Sequence, residues 1–130
     1  MLELYFCIFG IFQVLAGLCE LIFPFQSYVI WKKWIFTRYF FTHGIILIAA
    51  GFPFIIFKGF LSGIIFWIGI FMVLTGPFLL IYPEKVRNTF ISAEKDFTKK
   101  DLKIMIYIDA IIRFSAGIIV FIAFIKTSAL

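Results

Sequence analysis

The chain has 130 residues, enough for one domain; 64% of them are hydrophobic, only 15% are charged, and the mean hydropathy is +1.12. A soluble domain of this size has too high a surface-to-volume ratio to hide so much apolar surface, so a water-soluble globule is excluded and lipid is the solvent the composition asks for. The net charge of +5 lies mostly between the apolar runs, where it reads as a membrane-sidedness signal and not as a nucleic-acid surface.

The first apolar run predicts a helix from about Leu2 to Phe23. At helical rise it is ~33 Å long, enough for a hydrocarbon core of ~30 Å. It opens Met-Leu-Glu, with no basic n-region and no small-residue cleavage site, so it reads as a span that stays. Glu3, Gly10 and Gly17 are seven apart, as are Phe6, Gln13 and Glu20, and together they form one helix face that should meet protein. Cys7 and Cys19, ~18 Å apart along this helix, read as small hydrophobes.

The connection 24–38 carries Lys32, Lys33 and Arg38 with no acid, among Tyr28, Trp31, Trp34 and Tyr39. Aromatic residues of this kind favour the headgroup zone, and a short interfacial helix is expected. A second span is predicted from about Tyr39 to Phe57, with Gly44 and Gly51 on one face and Pro53 in its last turns. Lys58 and Gly59 make a short turn, so the second and third spans should be antiparallel neighbours. The third span runs from about Phe60 to Tyr82, with Ser62, Gly69 and Gly76 seven apart and Pro77 expected to bend it.

The second connection, 83–103, is amphipathic: Val86, Phe90, Ala93 and Phe97 form an apolar stripe against a charged back that includes Lys85, Arg87, Lys99, Lys100 and Lys103. Thr98 and Asp101 resemble a capping box. The fourth span is predicted from about Leu102 to Ile125, with Asp109, Arg113, Ala116 and Ala123 on one face and Gly117 beside it.

Gly10 to Pro24 recurs at Gly69 to Pro83, identical at nine of fifteen positions. More weakly, Phe41, Gly44 and Ala50 align with Phe114, Gly117 and Ala123. The expected fold class is therefore an all-α integral membrane bundle of four transmembrane helices. It forms a single membrane domain over 1–130, made of two tandem, duplicated hairpins (about 1–57 and 60–125), with an amphipathic interfacial helix before the fourth span. The two long connections hold nine Lys and Arg, against Lys58 and Lys126 on the other side. This places 24–38 and 83–103 in the cytoplasm and both termini outside, in the cell or inner membrane.

Four residues concentrate the chemistry. Glu20, His43, Asp109 and Arg113 all fall in the cytoplasmic half of the bilayer, where each charge facing lipid costs at least ~2.5–3.5 kcal/mol. Arg113 should pair with Asp109, four residues earlier, and reach Glu20. The cluster sets helix register, or moves a proton or ion or holds an anionic group, or else Asp109 sits at the interface and Arg113 snorkels. The glycines Gly10, Gly17, Gly44, Gly51, Gly69, Gly76 and Gly117 read as helix-packing positions. Lys32, Lys33, Arg38, Lys85, Arg87, Lys99, Lys100 and Lys103 form a surface for lipid, including anionic lipid, or for a partner. No second His accompanies His43, no cofactor or metal is implied, and the chain carries no H-E-x-x-H, C-x-x-C, P-loop or Ser/His/Asp set, which disfavours an enzyme. Two functions remain: a small structural or assembly protein, as subunit or accessory of a larger membrane complex or by self-association, or a minimal oligomeric transporter or channel.

Overall fold

The structure, a computed structural model, describes residues 2–128 as six helices: α1 (Leu2–Ile22), α2 (Pro24–Ile35), α3 (Thr42–Ile56), α4 (Ser62–Ile81), α5 (Pro83–Asp96) and α6 (Lys99–Ser128). All regular structure among the described residues is helical. Three helices, α1, α4 and α6, are long and apolar enough to cross a membrane, whereas α3 is apolar but only 15 residues long. The expected second span is thus shortened at both ends. Residues 37–41 form tight i→i+3 turns that lead into α3, and Phe57 is already extended. The extreme chain ends lie outside the described residues.

The two prolines that close the repeated stretch each open the next helix. Pro24 is at the start of α2 and Pro83 at the start of α5, where the missing proline N–H costs no helical bond. The residue before each takes almost the same backbone turn: φ −124, ψ 66 at Phe23 and φ −121, ψ 49 at Tyr82. Each long helix is therefore followed at once by a surface helix running in a new direction. The charged segment expected over 83–103 is split, with α5 ending at Asp96. The N–H of Asp101 donates to Thr98 Oγ1 (3.2 Å) and that of Thr98 to Asp101 Oδ2 (3.1 Å), the reciprocal capping box that starts α6 earlier than expected. Lys99, Lys100 and Lys103 consequently sit on the first turns of α6. In the α3–α4 turn the left-handed residue is Leu61 (φ 62), not Gly59.

The long helices pack in two antiparallel pairs, α1 with α6 and α3 with α4. The α3–α4 neighbourhood agrees with the short turn. Packing within each expected hairpin does not: α1 runs along α6 and not along α3. The glycines decide this. A methyl group on Gly10 would lie 3.0 Å from the Gly117 carbonyl oxygen, and one on Gly17 would lie 2.9 Å from that of Ala110. In the other pair Gly44 meets the backbone of Gly76, and a methyl on Gly51 would lie 3.0 Å from the Gly69 oxygen. Small residues let backbones approach in lipid, where little hydrophobic force drives helices together. The Gly59/Gly63 pair marks no such contact, since nothing lies near Gly63.

Burial follows the same scheme in both pairs. Phe6, Gly10 and Gly17 of α1 are buried, as are Ile65, Gly69 and Gly76 of α4. Along α3 and the residues that flank it Phe40, Gly44, Gly51, Phe54 and Phe57 are matched, at constant spacing, by Ile106, Ala110, Gly117, Val120 and Ala123 of α6. Gly44 thus answers to Ala110, one heptad from the Gly44–Gly117 alignment that residue identity suggested. The pairs meet at one end, where Phe6, Phe54, Phe57, Ile65, Val120 and Ala123 form a filled core. Phe6 lies edge-on to Phe57 with ring centroids 4.6 Å apart, and the Tyr5 hydroxyl donates to the Ala50 carbonyl (2.6 Å) just before Pro53.

Replacing Gly76 with Ala is expected to destabilise the α3·α4 pair by about 1–3 kcal/mol through overpacking. Gly63→Ala, facing open space, should be neutral or slightly stabilising. Unfolding of both variants in mild detergent, followed by circular dichroism, checks the contrast.

Candidate functional site

The α1·α6 register set by the Gly10–Gly117 and Gly17–Ala110 contacts brings one polar face of α1 against one of α6. Arg113 stands at the centre. Its Nε is 2.7 Å from Asp109 Oδ2 and 2.9 Å from Glu20 Oε1, and its Nη1 donates to Gln13 Oε1 at 3.1 Å. Trp31 of α2 covers the guanidinium, whose carbon lies 4.6 Å from the ring centre. Glu20 is 4% exposed and the Arg113 side chain 21%, while the Asp109 side chain, at 44%, reaches outward. One guanidinium thus faces two carboxylates.

Three of the four residues singled out in the sequence, Glu20, Asp109 and Arg113, come together. His43 stands apart on α3, half-buried, stacked with Phe40 and edge-on to Trp34, both at 6.2 Å. It shares with Arg113 and Glu20 a cleft of about 370 Å³ between the helix pairs, walled also by Phe12, Trp31 and Trp34. Among the described residues no three His, Cys, Asp or Glu side chains gather as a metal site. Gln13 and Trp31 complete the cluster. Gln13 was already visible in the polar stripe of α1, but Trp31 read only as part of an interfacial belt, because nothing in the spacing of α2 says which face turns toward α6. Glu3, from the same stripe, is exposed.

Behind Trp31 is a smaller cavity of about 170 Å³ among α1, α2, α5 and α6. The two surface helices roof it and brace one another. Tyr28 stacks on Phe90 (5.8 Å), and Lys32 Nζ pairs with Glu94 Oε1 (2.6 Å). Arg87 pairs with Glu84 and donates from Nε to the Ile35 carbonyl (2.8 Å) and from Nη2 to that of Thr37 (2.6 Å). The first of these bonds satisfies a carbonyl at the end of α2, and the second adds a donor to the Thr37 carbonyl just beyond it, which also accepts from the Phe40 N–H. Two of the eight basic residues noted in the sequence, Lys32 and Arg87, are therefore engaged inside the fold. Lys33, Lys99 and Lys100 are exposed. Arg38, Lys85 and Lys103 each lie over a tyrosine, at 4.8 Å from Tyr39, 5.2 Å from Tyr82 and 5.5 Å from Tyr107.

The hydrogen bond from Lys32 holds the Glu94 carboxyl below its usual range, while burial, and after it the nearby Glu94, push the Tyr28 phenol up to about 12. Compared with protein-family models, with curated proteins and with solved structures, the chain matches none.

Arg113→Leu leaves Glu20 buried without a partner and is expected to cost about 3 kcal/mol or more. Adding Glu20→Leu should restore part of that loss, which a double-mutant cycle of unfolding in detergent measures. A second expectation concerns pH. Because the folded pKa of Glu94 is depressed, its contribution is present above the ordinary carboxylate value of about 4.3 and is lost as pH falls through the lowered one. Amide exchange in α5 should stay slow down to about pH 4 and quicken below it in the wild type, whereas Glu94→Gln should show no such step.

Proposed function

We propose that the chain is a small polytopic membrane protein of structural or assembly type, serving as a subunit or accessory of a larger membrane complex. Four helices, α1, α3, α4 and α6, would cross the bilayer. The short α3 supports this because it packs along α4 through two glycine contacts a heptad apart, so the two helices share one depth. The repeated stretch, the matching proline breaks and the matching burial support an origin by duplication of one helix, surface helix, helix unit. Each copy would then exchange partners with the other, which is how α1 comes to pair with α6 and α4 with α3.

The excess of Lys and Arg in and beside α2 and α5 supports a cytoplasmic position for these helices, with both termini outside. The basic residues stacked on Tyr39, Tyr82 and Tyr107 suit the headgroup zone, and they would favour anionic lipid there.

The observation that carries the assembly reading is the filled aromatic and aliphatic core at the end away from the surface helices. It leaves no route through a single chain. Arg113, Glu20, Asp109 and Gln13 bond to one another in the half that remains, so the cluster serves as a clamp on the α1·α6 register. A transporter would need several copies with the path between them, lined by the cleft that His43 and Arg113 share.

Mild-detergent extraction from native membranes, with the intact mass read directly, tests this. A mass that includes other chains is expected. A mass that is a simple multiple of this chain would overturn the subunit reading and favour the oligomeric transporter.

A further inference from the structure

Two buried side-chain polar atoms among the described residues have no hydrogen-bond partner at normal length, Glu20 Oε2 and Tyr28 Oη, the latter with the Glu94 carboxylate nearby. They belong to different helices, α1 and α2, yet both residues line the 170 Å³ cavity behind Trp31. Leaving such a group unsatisfied is unfavourable, the more so when it is charged. Packing does not account for the orphan oxygen of Glu20, since Oε1 alone meets Arg113.

The cavity has a definite electrical character. Glu20 and Asp109 both line it, whereas Arg113, their common partner, borders the neighbouring cleft and not this cavity. Two carboxyl groups share one guanidinium, so the group holds one acid more than it has bases. The remaining walls include Tyr28, Trp31 and Phe90, of which Trp31 already lies over the Arg113 guanidinium. The excess of acid favours a cation.

The kind of cation follows from the two orphan atoms. A carboxylate oxygen accepts hydrogen bonds, and a phenol oxygen can accept one as well. A quaternary ammonium has no N–H to give either of them, but a primary ammonium has three. A bare metal ion would want more oxygen ligands than two carboxylates and a phenol provide. At about 30 Å³ per water in the liquid, the space matches a short alkylammonium, and isoleucine and methionine side chains line the rest.

We propose that this cavity binds a primary ammonium group, carried by an ethanolamine-type lipid headgroup or by a free alkylamine. The surface helices α2 and α5 contribute to its walls, which is the level at which headgroups lie on the topology proposed above.

The test uses the full chain in phosphatidylcholine nanodiscs, titrated calorimetrically with n-butylammonium and, separately, with tetramethylammonium at fixed pH and ionic strength. Saturable one-site binding of butylammonium is expected, at least tenfold tighter than tetramethylammonium. Glu20→Gln should abolish it. Tyr28→Phe, which keeps the ring and its packing, should weaken it several-fold without moving the unfolding temperature by more than a few degrees. In discs of equal phosphatidylethanolamine and phosphatidylcholine, selective retention of the former, reduced by Tyr28→Phe, assigns the ammonium to a lipid. Amine binding without such retention assigns it to a free amine. The proposal is overturned by absence of both amine binding and ethanolamine-lipid preference, by equal affinity for the two cations, or by binding that survives unchanged in a folded Tyr28→Phe protein.

Discussion

At each glycine contact a carbonyl oxygen of one helix lies against the backbone of the next, closer than any side chain would allow. A bilayer offers helices little reason to associate beyond such fit and the hydrogen bonds it permits. Close approach at Gly10, Gly17, Gly44, Gly51, Gly69, Gly76 and Gly117 therefore selects which helices pair and at what height. The height matters most for α1 and α6. With Gly17 on Ala110, the side chains of Glu20 and Gln13 arrive level with Arg113. One heptad of slip toward the N-terminus of α1 would set Arg113 level with Cys7, out of reach of Glu20. Steric contact and charge pairing thus specify the same register, each removing alternatives that the other leaves open.

Much of this was legible in the chain. Helices, surface segments and the capping box at Thr98 follow from periodicity and composition, because those signals are local. Glu20, Asp109 and Arg113 could be grouped before any coordinates, because a charge in an apolar helix needs a partner and few exist. Partner choice among helices was less accessible. The Lys58–Gly59 turn gives the α3·α4 pair, but nothing local distinguishes α1 against α6 from α1 against α3, since small residues recur at the same seven-residue step on all four apolar helices. The same regularity misled the alignment of the last helix, where Gly117 resembles Gly44 in type while Ala110 occupies its place. The inward turn of Trp31 and Tyr28 was equally hidden, because aromatic residues at an interface have two good reasons to be there.

The polar inventory divides by depth. Near the surface helices, Arg87 and Lys32 spend their donors on α2 carbonyls and on Glu94, tying two short helices that have few apolar contacts of their own into one layer. Below that layer the Arg113 group ties α1 to α6. Tyr28 and Trp31 belong to both levels, since each packs within the roof and lines a cavity next to the buried cluster. Residues of α2 and α5 thus share one cavity wall with Glu20.

The pairing of α1 with α6 joins the first helix to the last, and Arg113 is 100 residues beyond the Gln13 it bonds. A ribosome making this chain completes α3 and α4, which need only each other, while α1 still has no companion. For that interval Glu20 has no guanidinium to meet. Docking of α6 ends the wait, closes the bundle and gives that carboxyl group its arginine. A chain cut short before Arg113 would keep the residues of the α3·α4 pair and lose the one guanidinium that joins Gln13 and Glu20 to the last helix.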